Sequence, residues 1–73
     1  MKTILVFPRG WVLVGEVEGN TLKGAQVIRR WGTTRGLGEL AANGPTPQTK
    51  LDDLADVVSI GTPLFTLPAA GWK

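Results

Sequence analysis

The chain contains no cysteine, no histidine and no tyrosine, and a single methionine. Without cysteine there is no disulfide to brace the fold and no thiol nucleophile. Without histidine the commonest general base is missing, and an ordinary zinc site has only carboxylates to draw on. A Ser-His-Asp triad cannot be assembled, and Ser59 stands alone inside a strand-like pattern. What remains is carboxylate or lysine chemistry. These absences predict a protein that is not an enzyme and that needs no cofactor.

Long apolar runs are also missing. Ile4–Phe7 and Trp11–Val14 are the longest, four residues each, against the roughly 20 that a membrane-spanning helix requires. Met1-Lys2-Thr3 followed by Ile-Leu-Val-Phe resembles the opening of a secretory signal, but the run stops at Pro8-Arg9 and no small-residue cleavage site follows. It is read as a first strand. Cysteine-free composition agrees with a reducing compartment, so a cytoplasmic location with no membrane partner is expected.

A chain of 73 residues allows one domain and buries only about 60% of the surface its unfolded form exposes. With disulfides excluded and metal ligands scarce, self-association is the expected source of extra stability. A homo-oligomer is therefore expected. The net charge is only +2, but it is unevenly placed. Arg29, Arg30 and Arg35 fall within seven positions, while the acids lie at Glu16, Glu18, Glu39, Asp52, Asp53 and Asp56.

The fold class expected is mainly β: a small five-stranded antiparallel sheet or partly open barrel, with one short helix over about residues 37–43, in a single domain spanning 1–73. Thr3–Phe7 reads as the first strand and Pro8-Arg9-Gly10 as a turn or bulge. Trp11–Glu18 and Thr21–Trp31 read as a hairpin closed by Gly19-Asn20, with glycine at the first central position of a type II′ turn. The register that follows sets Glu18 against Thr21, Glu16 against Lys23, Val14 against Ala25 and Val12 against Val27. On the other face Val17 meets Leu22, Gly15 meets Gly24, Leu13 meets Gln26 and Trp11 meets Ile28. Opposed glycines mark a sharp bend or a close backbone approach. If the ladder ran on, Arg30 would face Arg9, an unfavourable pairing, so the Pro8–Gly10 turn is expected to break it.

Beyond Trp31 comes a loop, then a helix with Gly36 as N-cap and Glu39 at the third position, ended by Asn43-Gly44-Pro45. Leu51–Asp56 reads as a single helical turn, and Asp56–Ile60 and Leu64–Leu67 as the last strands, with Pro63 between them. Residues 69–73 form a loose tail unless Trp72 docks on the body or on a neighbour.

The stretches "WVLVGEVEG" and "VIRRWGTTRGLGELAANGPTPQTKLD" resemble a family of short domains of unknown function encoded in phage, prophage and bacterial genomes. The shared pattern is a Trp-Val-x-Val-Gly-Glu-Val strand, then Ile-Arg-Arg-Trp-Gly-Thr-Thr-x-Gly-Leu-Gly-Glu-Leu-Ala, then Gly-Pro-Thr and Thr-x-Leu-Asp. It covers about positions 11 to 52. The resemblance implies a phage or mobile-element setting and supplies no activity.

Anion binding is the chemistry this stretch suits. Phosphates are held by backbone N–H groups in glycine-rich turns, by helix starts and by arginine forks. Gly36 and Gly38 let the backbone approach, Thr33 and Thr34 add hydroxyls, and Arg35, with Arg29 and Arg30 nearby, adds cations. Trp31 offers a flat surface for a nucleobase, and Glu39 an acceptor for a ribose hydroxyl. The residues also allow a plainer reading. The glycines simply turn the chain, Trp31 belongs to the core, Arg35 pairs with Glu39, and Arg29 and Arg30 are solvated. Asp52, Asp53 and Asp56 read as caps or solvating charges in preference to a magnesium site.

The function expected is a non-catalytic, phage-encoded binding protein that holds a small phosphorylated, nucleotide-like ligand and sequesters a host nucleotide immune signal. The alternative is a virion structural or decoration protein, with Trp11, Trp72 and the Gly44–Gln48 loop as its interface. A small nucleic-acid-binding barrel is the further alternative. The modest charge disfavours it.

Overall fold

A computed structural model describes residues 2–32 and 36–72. Five strands run in chain order with one helix between the third and fourth: β1 (Thr3–Val6), β2 (Val12–Glu18), β3 (Thr21–Arg30), α1 (Leu37–Asn43), β4 (Lys50–Val57) and β5 (Phe65–Pro68). All pairings are antiparallel, in the order β4-β3-β2-β1-β5. The sheet does not close, so β4 and β5 are both edges. The mainly β class and the helix over 37–43 agree with the sequence.

The hairpin of β2 and β3 forms on the expected two-residue turn, with Gly19 at φ 60 as the turn requires. Its register holds from Glu18↔Thr21 to Glu16↔Lys23 and then slips. Val14 pairs with Gln26 and Leu13 with Val27, where the sequence placed Ala25 and Gln26. One extra residue on β3 causes the slip: Gly15 faces both Gly24 and Ala25, and Gly24 has φ 58, the left-handed glycine of a bulge. A β-carbon on Gly15 would lie 2.8 Å from the Lys23 carbonyl oxygen, so the crossing strand leaves no room for one.

The fourth strand corrects the sequence reading. Lys50–Val57 forms a strand, irregular only at Ala55 with φ 61, so Leu51–Asp56 is not a helical turn, and the strand expected at Asp56–Ile60 ends at Val57. Isolated, these residues favour a helix start. In the fold, the free edge of β3 supplies backbone partners and β3 side chains hold all three aspartates.

The sheet is covered on both faces. On one, α1 lays down Leu37, Leu40 and Ala41, its i, i+3, i+4 stripe, over Ile4, Val12, Val14 and Ile28. Trp72 completes this cluster, 9% exposed, and donates its indole N–H to the Leu40 carbonyl at 3.0 Å. The C-terminal segment through Trp72 thus docks on the body of its own chain. On the other face lie Leu5, Leu13, Leu22 and Ala25. Residues 58–64 cross this face diagonally from one sheet edge to the other. The strap is tied at the hairpin tip by the Ile60 amide to the Asn20 carbonyl, 3.0 Å, and at β1 by the Leu64 amide to the Val6 carbonyl, 2.7 Å. Ser59 lies in this strap at φ 56, not in a strand.

Candidate functional site

Pro8–Gly10 forms a short 3-10 turn, and Arg9 takes φ 68. Arg9 is thereby removed from the sheet, and Arg30 does not face it. β4 brings a different cation instead: Arg30 and Lys50 are Cα partners across β3 and β4. Both are exposed, and among the described residues neither has a carboxylate within ion-pair distance. Like charges directly opposite each other destabilise a sheet.

The two neighbouring arginines have different surroundings. Arg29 directs its Nε to the Asp52 carboxylate at 2.7 Å. A one-residue irregularity between Ile28 and Arg30 relaxes strict alternation of side chains at this strand end. Ile28 is buried with its partner Leu51 packed against the same cluster, which anchors the strand just before the arginines.

Trp31 follows immediately and is 41% exposed, so the indole is not a core side chain. A tightly bonded turn fixes its backbone. The Thr49 hydroxyl donates to the Trp31 carbonyl at 2.7 Å, and the Thr46 hydroxyl to the Gly32 carbonyl at 2.7 Å. Thr46 and Thr49 brace each other through the Thr46 amide to Thr49 Oγ1, 2.8 Å, and the Thr49 amide to the Thr46 carbonyl, 3.0 Å. Gly32 presses so closely on the Gln48–Thr49 backbone that a β-carbon would collide with it. On the far side of the loop, Gly36 approaches the indole: a β-carbon there would sit 3.7 Å from it. The Gly-Pro-Thr and Thr-x-Leu-Asp segments thus fold directly against the Arg-Arg-Trp-Gly segment.

Thr33, Thr34 and Arg35 lie outside the described residues. Gly36 is the N-cap of α1, at φ 84, and Glu39 stands in the first turn. With seven residues and an acid at its start, α1 offers little field for an anion. Gly38 and Glu39 border a shallow polar depression with Ala42 and Asn43. Of the expected site residues, Trp31 and Gly36 come together, and Arg30 stands opposite Lys50 at the end of β3. Sequence reasoning missed Lys50, Thr46 and Thr49. The Thr-x-x-Thr spacing around Pro47 was the available signal for the two threonines, whereas Lys50 becomes visible only when β4 pairs with β3.

The aspartates of β4 are separately engaged. Asp53 accepts from the Gln26 amide at 2.7 Å, and Asp56 from the Gly24 amide at 2.9 Å and from Lys23 Nζ at 3.2 Å. Those two bonds, the backbone one first, hold the Asp56 carboxyl below its ordinary value. Among the described residues no acidic group converges to hold a metal ion, and no helix is long and apolar enough to cross a membrane. Trp72, a candidate interface residue from the sequence, is buried and bonded within the chain, which removes it from any such surface. No family model, curated protein or solved structure matches the chain.

Proposed function

We propose that the protein is a non-catalytic binding protein for a small phosphorylated ligand of nucleotide type, held where β3 and β4 end. The observation that carries this reading is the Arg30–Lys50 pair, which has no carboxylate partner among the described residues and directly precedes the half-exposed Trp31 in the chain. Two cations set opposite each other favour an anion between or above them, and a guanidinium beside an ammonium suits a phosphoryl group. The indole provides a stacking surface worth about 1–3 kcal/mol per base. Thr46 and Thr49 supply rigidity, because they fix the consecutive carbonyls of Trp31 and Gly32. Preorganised groups bind with less loss of freedom. Arg35 joins the set on its sequence position alone.

Such a protein acts by mass action, binding its ligand without converting it, so its effect scales with its abundance. Calorimetric titration with ADP and with inorganic pyrophosphate tests the reading. Binding is expected for both and tighter for ADP, with a loss of at least about tenfold, or 1.4 kcal/mol, in Arg30→Ala, Lys50→Ala and Arg35→Ala. Affinity unchanged in all three variants, or no binding of either probe, would overturn it. A native mass spectrum of the protein purified from cells that make nucleotide signals would identify the retained mass.

A further inference from the structure

Helix α1 ends in Asn43-Gly44, a pair with a chemistry of its own that the cation pair does not use. An asparagine side chain followed by glycine is open to attack by the next backbone nitrogen, because glycine has no β-carbon to obstruct the approach. The Gly44 amide gives its proton to water, and its nitrogen bonds to Asn43 Cγ. The Cγ–Nδ2 bond breaks and ammonia leaves, having taken a proton back from water. A five-membered succinimide remains. Water then adds to one of its two carbonyls, and the ring opens to aspartate or to isoaspartate. The net change converts one amide and one water into one carboxylate and one ammonium ion.

The Asn43 side chain is exposed, so water reaches it. The attacking group is restrained. The Gly44 amide donates to the Leu40 carbonyl at 2.9 Å, closing the last turn of α1. A helical i to i−4 bond points that N–H back along the helix axis, away from the side chain it would attack. An amide held in such a bond exchanges its proton only when the structure opens.

Residues 69–72 hold this arrangement from outside. The Trp72 indole donates to the same Leu40 carbonyl at 3.0 Å, and the Gly71 amide to the Ala41 carbonyl at 3.1 Å. The Ala69 amide ties the start of the segment to the Lys2 carbonyl at 3.0 Å. Gly71 lies directly on the reactive peptide: a β-carbon there would fall 2.5 Å from the Asn43 carbonyl carbon and 2.6 Å from the Gly44 nitrogen. We propose that Asn43-Gly44 is a self-modification site kept shut by residues 69–72, and that lifting this latch frees the Gly44 amide to convert Asn43 to aspartate and isoaspartate. A short segment held by a few bonds opens at lower free energy than the sheet. The conversion is one-way, so its product accumulates with each opening. It also sets a negative charge at the helix C-terminus, where the macrodipole opposes it.

Peptide mapping by mass spectrometry during incubation at mildly alkaline pH tests the proposal. Asn20, the other asparagine, is the internal reference. It precedes the β-branched Thr21, whose crowded side chain hinders the same attack. In the urea-unfolded wild type, Asn43 is expected to convert well ahead of Asn20. In the folded wild type its conversion should be at least about tenfold slower than in the unfolded chain. Trp72→Phe removes the bond to Leu40 and keeps a ring, whereas Gly71→Ala pushes the segment off the Asn43–Gly44 peptide. Both should convert faster than Gly15→Ala, which weakens the sheet away from the latch, when all three are compared at urea concentrations of equal global stability. Equal rates in folded and unfolded wild type would overturn the proposal. Latch variants no faster than Gly15→Ala would also overturn it, because opening would then be global. An unfolded chain that leaves Asn43 intact would remove the site altogether.

Discussion

The Asp56 carboxylate on β4 accepts the Gly24 amide N–H of β3 at 2.9 Å, pinning the bulge beyond which the hairpin register slips by one residue. Lys23, one residue earlier, reaches the other oxygen of the same carboxylate at 3.2 Å. Gly24 occupies the left-handed region, where its amide turns away from the β2 ladder and needs another acceptor. Asp56 provides it. Asp56→Ala is therefore expected to lower the urea midpoint more than Asp56→Asn, which keeps an oxygen acceptor, and Lys23→Ala to lower it least.

The same contact gives a pH dependence with a definite sign. The folded Asp56 carboxyl is held below its ordinary value of 3.8 by the Gly24 bond first and Lys23 second. A carboxyl depressed on folding contributes stability that is fully present above its unfolded value and lost as pH falls through the folded one. Wild-type stability should therefore decline below pH 3.8, and the decline should be shallower in Asp56→Asn. Urea titrations at a series of acidic pH values measure this. Equal slopes in the two proteins would exclude Asp56 as a source of the acid sensitivity.

The glycines of the bulge have unequal tolerance for a side chain. Nothing lies within 4 Å of a β-carbon placed on Gly24, so Gly24→Ala meets only the cost of a left-handed backbone at φ 58, about 1–2 kcal/mol. On Gly15 the β-carbon would meet the Lys23 carbonyl at 2.8 Å and Leu22 Cγ at 2.9 Å. Leu22 is fully buried, so it cannot move aside freely. Gly15→Ala should cost roughly 1–3 kcal/mol from overpacking, and Gly15→Val clearly more. Chemical denaturation of the three variants gives the order directly.

The helix and the hairpin were legible in the sequence because each carries its own local signals. Leu37, Leu40 and Ala41 mark one helical face, and Gly36 and Gly44 bound it. Gly19-Asn20 fixes the turn. β4 was hidden for the opposite reason. Its residues show no alternation and resemble a helix start, and their strand form comes from pairing with β3, whose partner residues lie 20 to 35 positions earlier. The bulge was hidden because opposed glycines permit several distortions and sequence alone does not select one. The same divide runs through the candidate site. Trp31 and Arg30 stand out locally, whereas Lys50 joins them by strand pairing and the two threonines by a turn that folds back on the strand end.

Trp72 tests how far the C-terminal segment supports the helix face. Its indole is 9% exposed, bonds the Leu40 carbonyl at 3.0 Å and lies beneath Lys2 Nζ, 5.8 Å from the ring centre. Trp72→Phe keeps a ring in the cluster and loses the hydrogen bond, an expected cost of about 0.5–1.5 kcal/mol. Trp72→Ala opens a cavity beside Leu40 and Ala41 as well, and should cost about 3–5 kcal/mol, a large share of the stability of so small a domain. Loss of Trp72 with no change in the unfolding midpoint would show that the segment does not hold α1 in place.

The cation pair links stability to binding in a way that distinguishes a site from a chance juxtaposition. Arg30 and Lys50 face each other without a carboxylate among the described residues, so removing either one relieves a repulsion. Arg30→Ala and Lys50→Ala are expected to raise the thermal midpoint slightly at low salt, and the gain should shrink as added salt screens the wild-type pair. Pyrophosphate should raise the midpoint of the wild type, because a ligand that binds only the folded state stabilises it in proportion to its occupancy. It should raise the midpoints of the variants far less. Thermal melts at low and high sodium chloride, with and without pyrophosphate, read both effects in one series. If the variants are less stable than the wild type at low salt, the two side chains are supported by the fold and are not held apart for an anion. If they are more stable and still respond fully to pyrophosphate, the anion binds elsewhere. Only the combination of higher stability and lost response assigns the pair to a binding site.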